Sequence, residues 1–464
     1  MQGAQDAGSF RDPRGHVFEQ DGDIVRTVRA GAVDDYDAVA RSGLFDELTG
    51  RGWLVGTSEA DAAPYRRQDE SVVRLLRHER IPFVSYPYEW SFFGLKAAAL
   101  LHLDIQIAAL AKGVALSDAS AYNIQFRGAE PVFIDVLSFR PYRDGEVWLG
   151  HRQFCEQFLN PLLVNELLGL HQQGWCRGQL EGVPTRDLAR LLKWRHRLSW
   201  NVLTQVVMQA KLDARAIAAE QAATDDAKKV RLSKTAFHGM LTMLRNWIAR
   251  LEPAAADKTV WSDYTRTHTY ASDEERQKQD AVAAICRRLK PRMVYDLGCN
   301  TGAYAALALA AGAEMVIGFE ADHGALEQAF LRARNDKLAF LPLFQDLANP
   351  SPAQGWRQAE RKGLGERAGA DFVMALAVEH HLAIGRNIPL PAVVAEIVSQ
   401  GRGGVIEFVE KNDSTVQRML KLREDIFPDY TLTAFRDALA SVARIESEQR
   451  VSEEGRTLFH FSRA

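Results

Sequence analysis

The sequence predicts an α/β protein in two parts: an α+β N-terminal half and, over residues 261–464, a doubly wound parallel sheet closed by an antiparallel hairpin. Three observations carry this expectation. From Ser272 onward, apolar strands alternate with helix-period segments, the rhythm of parallel strands joined by crossover helices. The short apolar strand Val294–Asp296 runs into a glycine turn, Gly298 to Gly302, and then into the Ala-rich helix Ala303–Ala311. Before residue 213 the pattern is different: a hairpin, a helix, a long apolar helix, two short strands and then helices.

Residues 1–15 read as a disordered lead, and residues 16–212 as the N-terminal domain. In that domain His16–Gln20 and Ile24–Val28 flank Asp21-Gly22, a strong two-residue hairpin signal. Val33–Thr49 reads as one helix stopping near Gly50, and Trp53–Val55 restarts a strand. Ser91–Lys112 is a long helix that Gly113 can terminate. Ile124–Phe126 and Pro131–Asp135 are strands around Arg127-Gly128, and helices follow to Leu212. Residues 213–260 read as a helical connector, with an apolar stretch from Phe237 to Leu251 and a linker at Pro253–Asp257.

A chain of 464 residues with 47% hydrophobic and 25% charged content can bury a core in each of two or three domains. The net charge of −3 argues against a dominant nucleic-acid footprint, while leaving room for a local basic patch. The four cysteines, Cys155, Cys176, Cys286 and Cys299, have neither zinc-site nor disulfide-framework spacing and read as reduced thiols, so a cytoplasmic setting and no metal are expected. Met1–Pro13 has no signal-peptide core, and no run of 18 apolar residues predicts a membrane span; Ala97–Ala111 is interrupted by His102 and Asp104.

The glycine turn is the most informative local feature. It lets the backbone approach a ligand closely, and Asp296 at the strand end can hold an amino group. The next strand, Met315–Phe319, ends at Glu320, which lies 18 residues after Gly302, near the spacing of a ribose-hydroxyl acceptor. No G-x-G-x-x-G occurs, which disfavours a dinucleotide. Asp296-Leu-Gly-Cys-Asn-Thr-Gly302 resembles the first motif of class I methyltransferases of the Rossmann-like fold. The resemblance continues through Glu320, through Asp346 after the strand Ala339–Phe344, through Asp371–Ala377 as fourth strand and Gly404–Val409 as fifth, to the closing hairpin Arg444–Val451 and Thr457–Ser462. It implies S-adenosyl-L-methionine as cofactor, held by Asp296, Gly298, Cys299, Asn300, Gly302, Glu320, Asp346 and Ala377.

Methyl transfer needs an acceptor positioned in line and, for a hydroxyl, a base. His380 and His381 follow the fourth strand at the sheet edge that faces a ligand, so one of the two is the expected base, with Glu379 to orient it and Glu407 and Glu410 as weaker candidates. Trp261–Tyr264 and Thr267–Tyr270 are expected to cover the cofactor or to pack the domains. In the N-terminal half, Asp118, Asn123 and Asp135 resemble the catalytic and metal-binding segments of kinase-like phosphotransferases. No lysine precedes Lys96 and no Gly-rich phosphate loop is present, so the expectation is a degenerate kinase-like domain in which these three residues bind substrate. The whole chain resembles bacterial two-part methyltransferases that include nodulation-associated proteins, on Tyr86–Trp90, Asp118–Asn123, Phe133–Asp135, Trp261–Tyr264 and Ile406–Glu410. This implies a small-molecule or saccharide acceptor. A bifunctional kinase and methyltransferase, and a non-catalytic cofactor-binding scaffold, are the alternatives.

Overall fold

The computed structural model describes residues 3–211, 231–254 and 272–463, except 368, 422 and 454. The expected aromatic leader at Trp261–Tyr264 and Thr267–Tyr270 lies outside the described residues. The chain divides into two compact units, one of residues 1–126, 130–256 and 353–361, the other of the remainder.

The first unit is built on a five-stranded antiparallel sheet. Its strands are β1 (Ala4–Gln5), β2 (Val17–Gln20), β3 (Asp23–Arg29), β4 (Thr57–Ala60) and β5 (Val72–His78), in the order β1-β2-β3-β5-β4. Asp21 and Gly22 join β2 to β3 with φ of 51° and 88°, and Gln20 pairs Asp23, as a two-residue turn with left-handed central residues requires. Two expectations are corrected here. Residues 4–15 are an ordered edge and strap rather than a disordered lead: Ala4 pairs Glu19, Asp6 caps the turn Ala7–Ser9, and the Arg29 N–H donates to the Arg14 carbonyl at 2.8 Å. A polar sequence can be ordered where the sheet edge satisfies its backbone. The expected single helix over 33–49 is two, Ala30–Arg41 and Leu44–Gly50, because Gly43 adopts φ 71° between them.

The helix Phe92–Ala111 starts at the Ser91 cap and is buried around most of its circumference. It is long and apolar enough to cross a membrane by length and composition, but 67% of its apolar window is buried inside the structure. After it come β6 (Val114–Leu116), the hairpin β7 (Ile124–Arg127) and β8 (Glu130–Phe133), and β9 (Phe139–Pro141), which pairs β6. The apolar stretch expected in the connector forms the helix Lys234–Arg250. It buries Phe237, Leu241, Leu244 and Ile248, and Arg245 pairs with Asp104 of the long helix at 2.8 Å.

The second unit has a seven-stranded sheet. Its strands are β10 (Met293–Leu297), β11 (Met315–Glu320), β12 (Phe340–Phe344), β13 (Phe372–Ala375), β14 (Gly403–Val409), β15 (Arg444–Ser452) and β16 (Arg456–Ser462). The order is β12-β11-β10-β13-β14-β16-β15, parallel through β14, with β16 and β15 antiparallel. This is the α/β Rossmann-like methyltransferase fold that the sequence implies. The strands progress outward from β10 in both directions, so the crevice of the topological switch opens at the carboxyl ends of β10 and β13.

Candidate functional site

A cleft of about 590 Å³ opens at that switch point. Its floor is the loop after β10. Gly302 begins the helix Ala303–Ala310 at φ 78°, and a Cβ there would come within 2.4 Å of the Phe340 ring, so glycine alone fits. Gly298 and Asn300 are also left-handed, at 73° and 49°, which bends the loop tightly over the sheet.

Of the expected cofactor residues, Asp296, Gly298, Cys299, Asn300, Glu320, Asp346 and Ala377 all line the cleft, and Gly302 sets the turn beneath it. The Asp296 side chain is buried, and its Oδ2 has no protein partner. Burial first, then the Glu320 charge, push its carboxyl up to about 7. Glu320 is fixed by three backbone donors: Asn300 N–H to Oε2 at 2.7 Å, and Ala321 and Asp322 N–H to Oε1 at 2.8 and 2.7 Å. The buried Cys299 thiol is pushed up by burial and the nearby carboxylates, which leaves it unreactive. Asp346 accepts from the Ala348 N–H at 3.0 Å and pairs with Arg386 at 3.1 Å. Ala377 takes φ 55°, carrying the chain off β13 into the cleft wall.

The two histidines separate. His381 lines the cleft, and burial, His380 and Arg456 hold its imidazole well below the ordinary histidine range, so it is neutral at pH 7. His380 is not a cleft residue, which corrects its place among the base candidates. It is fully buried, 4.0 Å ring to ring from His381, with Nδ1 3.5 Å from Glu379 Oε2. The two rings touch, and of the pair His381 stands on the cleft side while His380 lies behind it in the core. Glu379 braces the site instead: its Oε1 accepts from the Val409 N–H and the Tyr430 hydroxyl, each at 2.9 Å.

Sequence reasoning missed a second wall. Glu275 and Lys278 on the helix Ser272–Leu289, Tyr304 on the helix after the turn, and Arg456 on β16 also line the cleft. Lys278 pairs with the buried Glu407 at 2.6 Å and lies over the Tyr304 ring at 4.9 Å; Tyr304 donates to Glu275 at 2.9 Å. Arg456 bridges Asp413 at 2.7 Å and Glu407 at 3.6 Å. Glu407 therefore acts as a buried counter-ion, and its position in the middle of an apolar strand is the only sequence signal it left. Glu410 caps the β14–β16 end, its N–H donating to the Gly455 carbonyl.

In the first unit Asp118, Asn123 and Asp135 do come together. Asn123 donates to Asp118 at 3.0 Å and to the Ser138 hydroxyl at 3.3 Å, and Ser138 donates to Asp135 at 2.7 Å. The missing lysine has a counterpart of another kind. Arg26, buried at the centre of β3, pairs with Asp135 at 2.6 Å and with Asp12 of the N-terminal strap. Burial and the Asp135 charge raise the Asp118 carboxyl, while Arg26 and Ser138 outweigh burial and keep Asp135 low. Among the described residues, no group of acids, histidines or cysteines could hold a metal ion.

No family model matches the chain. Among solved structures, magnesium protoporphyrin IX methyltransferase from Synechocystis PCC 6803 matches at 19% identity, over 41% of this chain and 84% of that one, with a TM-score of 0.31. The N-methyltransferase NodS from Bradyrhizobium japonicum WM9 matches at 13% identity, over 41% and 97%, with a TM-score of 0.30. Over the full length, the nodulation protein NoeA of Rhizobium meliloti (strain 1021) is 44% identical across 458 residues, 99% of this chain and 96% of the relative. The chain belongs to the family of the nodulation protein NoeA.

Proposed function

We propose that the chain is an S-adenosyl-L-methionine-dependent methyltransferase acting on a hydroxyl of a small molecule or saccharide, with the first unit helping to bind the acceptor. One observation carries this reading: a buried carboxylate oxygen of Asp296 without a protein partner, at the switch point of the sheet, in a cleft walled by the glycine turn. The cleft presents five carboxylates, Glu275, Asp296, Glu320, Asp322 and Asp346, against Lys278, Arg386 and Arg456. That balance suits a ligand carrying positive charge.

Asp296 would hold the cofactor's amino group, Glu320 a ribose hydroxyl on its remaining lone pairs, and Asp346 the adenine side. Bound there, S-adenosyl-L-methionine supplies an electrophilic methyl carbon. The protein's own work is positioning and proton removal. Neutral His381 can accept the acceptor's hydroxyl proton, and the Lys278–Glu407–Arg456 network fixes the opposite wall. The saccharide in this reading rests on the resemblance to nodulation-associated proteins, and the relationship to NoeA fixes no acceptor. In the first unit, Arg26 and Asp135 neutralise each other instead of facing phosphate and magnesium, which favours acceptor binding over phosphotransfer.

Calorimetry with S-adenosyl-L-methionine and S-adenosylhomocysteine tests the cofactor, and transfer of labelled methyl to a panel of saccharides and small alcohols tests the acceptor. Absence of binding by either compound overturns the reading.

A further inference from the structure

A ridge on the first unit combines exposed aromatic and aliphatic side chains with charge of one sign. It consists of the helix Thr185–Leu191, the 3-10 helix Trp194–Leu198, the short helix Trp200–Val202 and the wide turn Leu203–Met208. Leu188, Leu192, Val202 and Val206 are buried, so the segment is anchored at both ends. Between those anchors Trp194, Leu198 and Trp200 are 77%, 76% and 72% exposed. Three such residues within seven positions exceed the scattered apolar exposure that is ordinary for a surface.

The surrounding charge is strongly biased. From residue 186 to 211 the chain carries Arg186, Arg190, Lys193, Arg195, Arg197 and Lys211 against Asp187 alone, in a protein whose net charge is −3. Lys193, Arg195 and Arg197 are themselves exposed and alternate with the apolar side chains.

We propose that this ridge docks the protein on an anionic lipid bilayer. Indole rings are amphipathic and settle at the headgroup level, Leu198 gains by leaving water for the acyl boundary, and the basic side chains meet lipid phosphates. A nucleic acid would employ the indoles as stacking platforms but offers nothing to Leu198. The ridge makes no use of the methyl-transfer cleft, so the proposal stands or falls independently of that reading.

The test is flotation of the full chain with vesicles of phosphatidylcholine alone and of phosphatidylcholine with phosphatidylglycerol, at low and high salt. Flotation is expected with the anionic vesicles, weakening as salt rises. The triple variant Trp194→Ser, Leu198→Ser, Trp200→Ser should lose at least about tenfold in vesicle partitioning, and the pair Arg195→Gln, Arg197→Gln should bind less and with a flatter salt dependence. All five positions are exposed, and circular dichroism checks that both variants fold. No flotation at low salt, or undiminished flotation of both variants, overturns the proposal. So does capture by polyglutamate or duplex DNA without vesicle binding, which assigns the ridge to an acidic macromolecule.

Discussion

The backbone N–H of Asn300 donates to Oε2 of Glu320 at 2.7 Å, so the glycine turn after β10 and the acid ending β11 are one hydrogen-bonded unit. Glu320→Ala removes the anchor of Asn300 and, at the proposed site, the acceptor for a cofactor hydroxyl. It is expected to weaken S-adenosyl-L-methionine binding by about 1–3 kcal/mol, the usual cost of a lost charged hydrogen-bond partner. Glu320→Gln, which keeps the side-chain shape, should lose less. Calorimetry giving wild-type affinity for the Ala variant removes Glu320 from the site.

At the proposed site, Asp296 should make cofactor binding depend on pH. Its carboxyl lies at about 7 in the free protein, pushed up by burial and Glu320, while a bound ammonium group prefers the ionised form. Binding therefore releases a proton below pH 7, and affinity should fall by about tenfold per unit well below that value. For the free protein the sign is opposite. The folded state holds this proton from the ordinary carboxylate range up to about 7, so Asp296 contributes a loss of stability as pH rises through that window. Calorimetry in buffers of different ionisation heat, and melting temperatures across pH for wild type and Asp296→Asn, measure both. Proton release unchanged in the Asn variant would locate the titration elsewhere.

His381 and His380 should give different phenotypes despite being adjacent. His381→Ala, at the cleft, is expected to lower kcat on the order of 10²-fold with cofactor affinity nearly intact. His380→Ala leaves a cavity in the core and should act on melting temperature first. A kcat loss of equal size in both, with no change in stability for His380→Ala, contradicts this assignment.

Lys278 faces Glu407 at 2.6 Å, with both side chains buried. Lys278→Met removes the cation at 2.6 Å from the buried Glu407 and should cost about 3–5 kcal/mol, the range for a broken buried pair. The double variant Lys278→Met, Glu407→Leu should recover part of the loss. Chemical denaturation of the three proteins decides it; a single variant as stable as wild type shows that the pair carries no structural weight.

In the first unit, Asp118→Ala should raise the acceptor KM while sparing cofactor affinity, and incubation with magnesium and gamma-labelled ATP beside the acceptor should transfer negligible phosphate. Phosphate transfer that disappears in Asp135→Ala promotes the bifunctional alternative.

The sequence alone determined what depends on near neighbours. Strand β10, the Gly298–Gly302 turn and the following helix were legible because an apolar strand, left-handed glycines and an Ala-rich helix are written within eighteen consecutive residues, 293–310. The Asp21-Gly22 hairpin was legible for the same reason, and so was the strand alternation to β16. Only the tertiary structure decided which distant groups meet. Lys278 and Arg456 reach the cleft from opposite ends of the second unit because the helix Ser272–Leu289 and the last strand pack around Glu407. His380 and His381 are the same residue type, and the packing put one in the core and the other at the cleft. Arg26 and Asp135 lie 109 positions apart, and the strap at 4–15 is mostly polar with no apolar periodicity; their order comes from pairing with partners remote in sequence, for which local periodicity carries no signal.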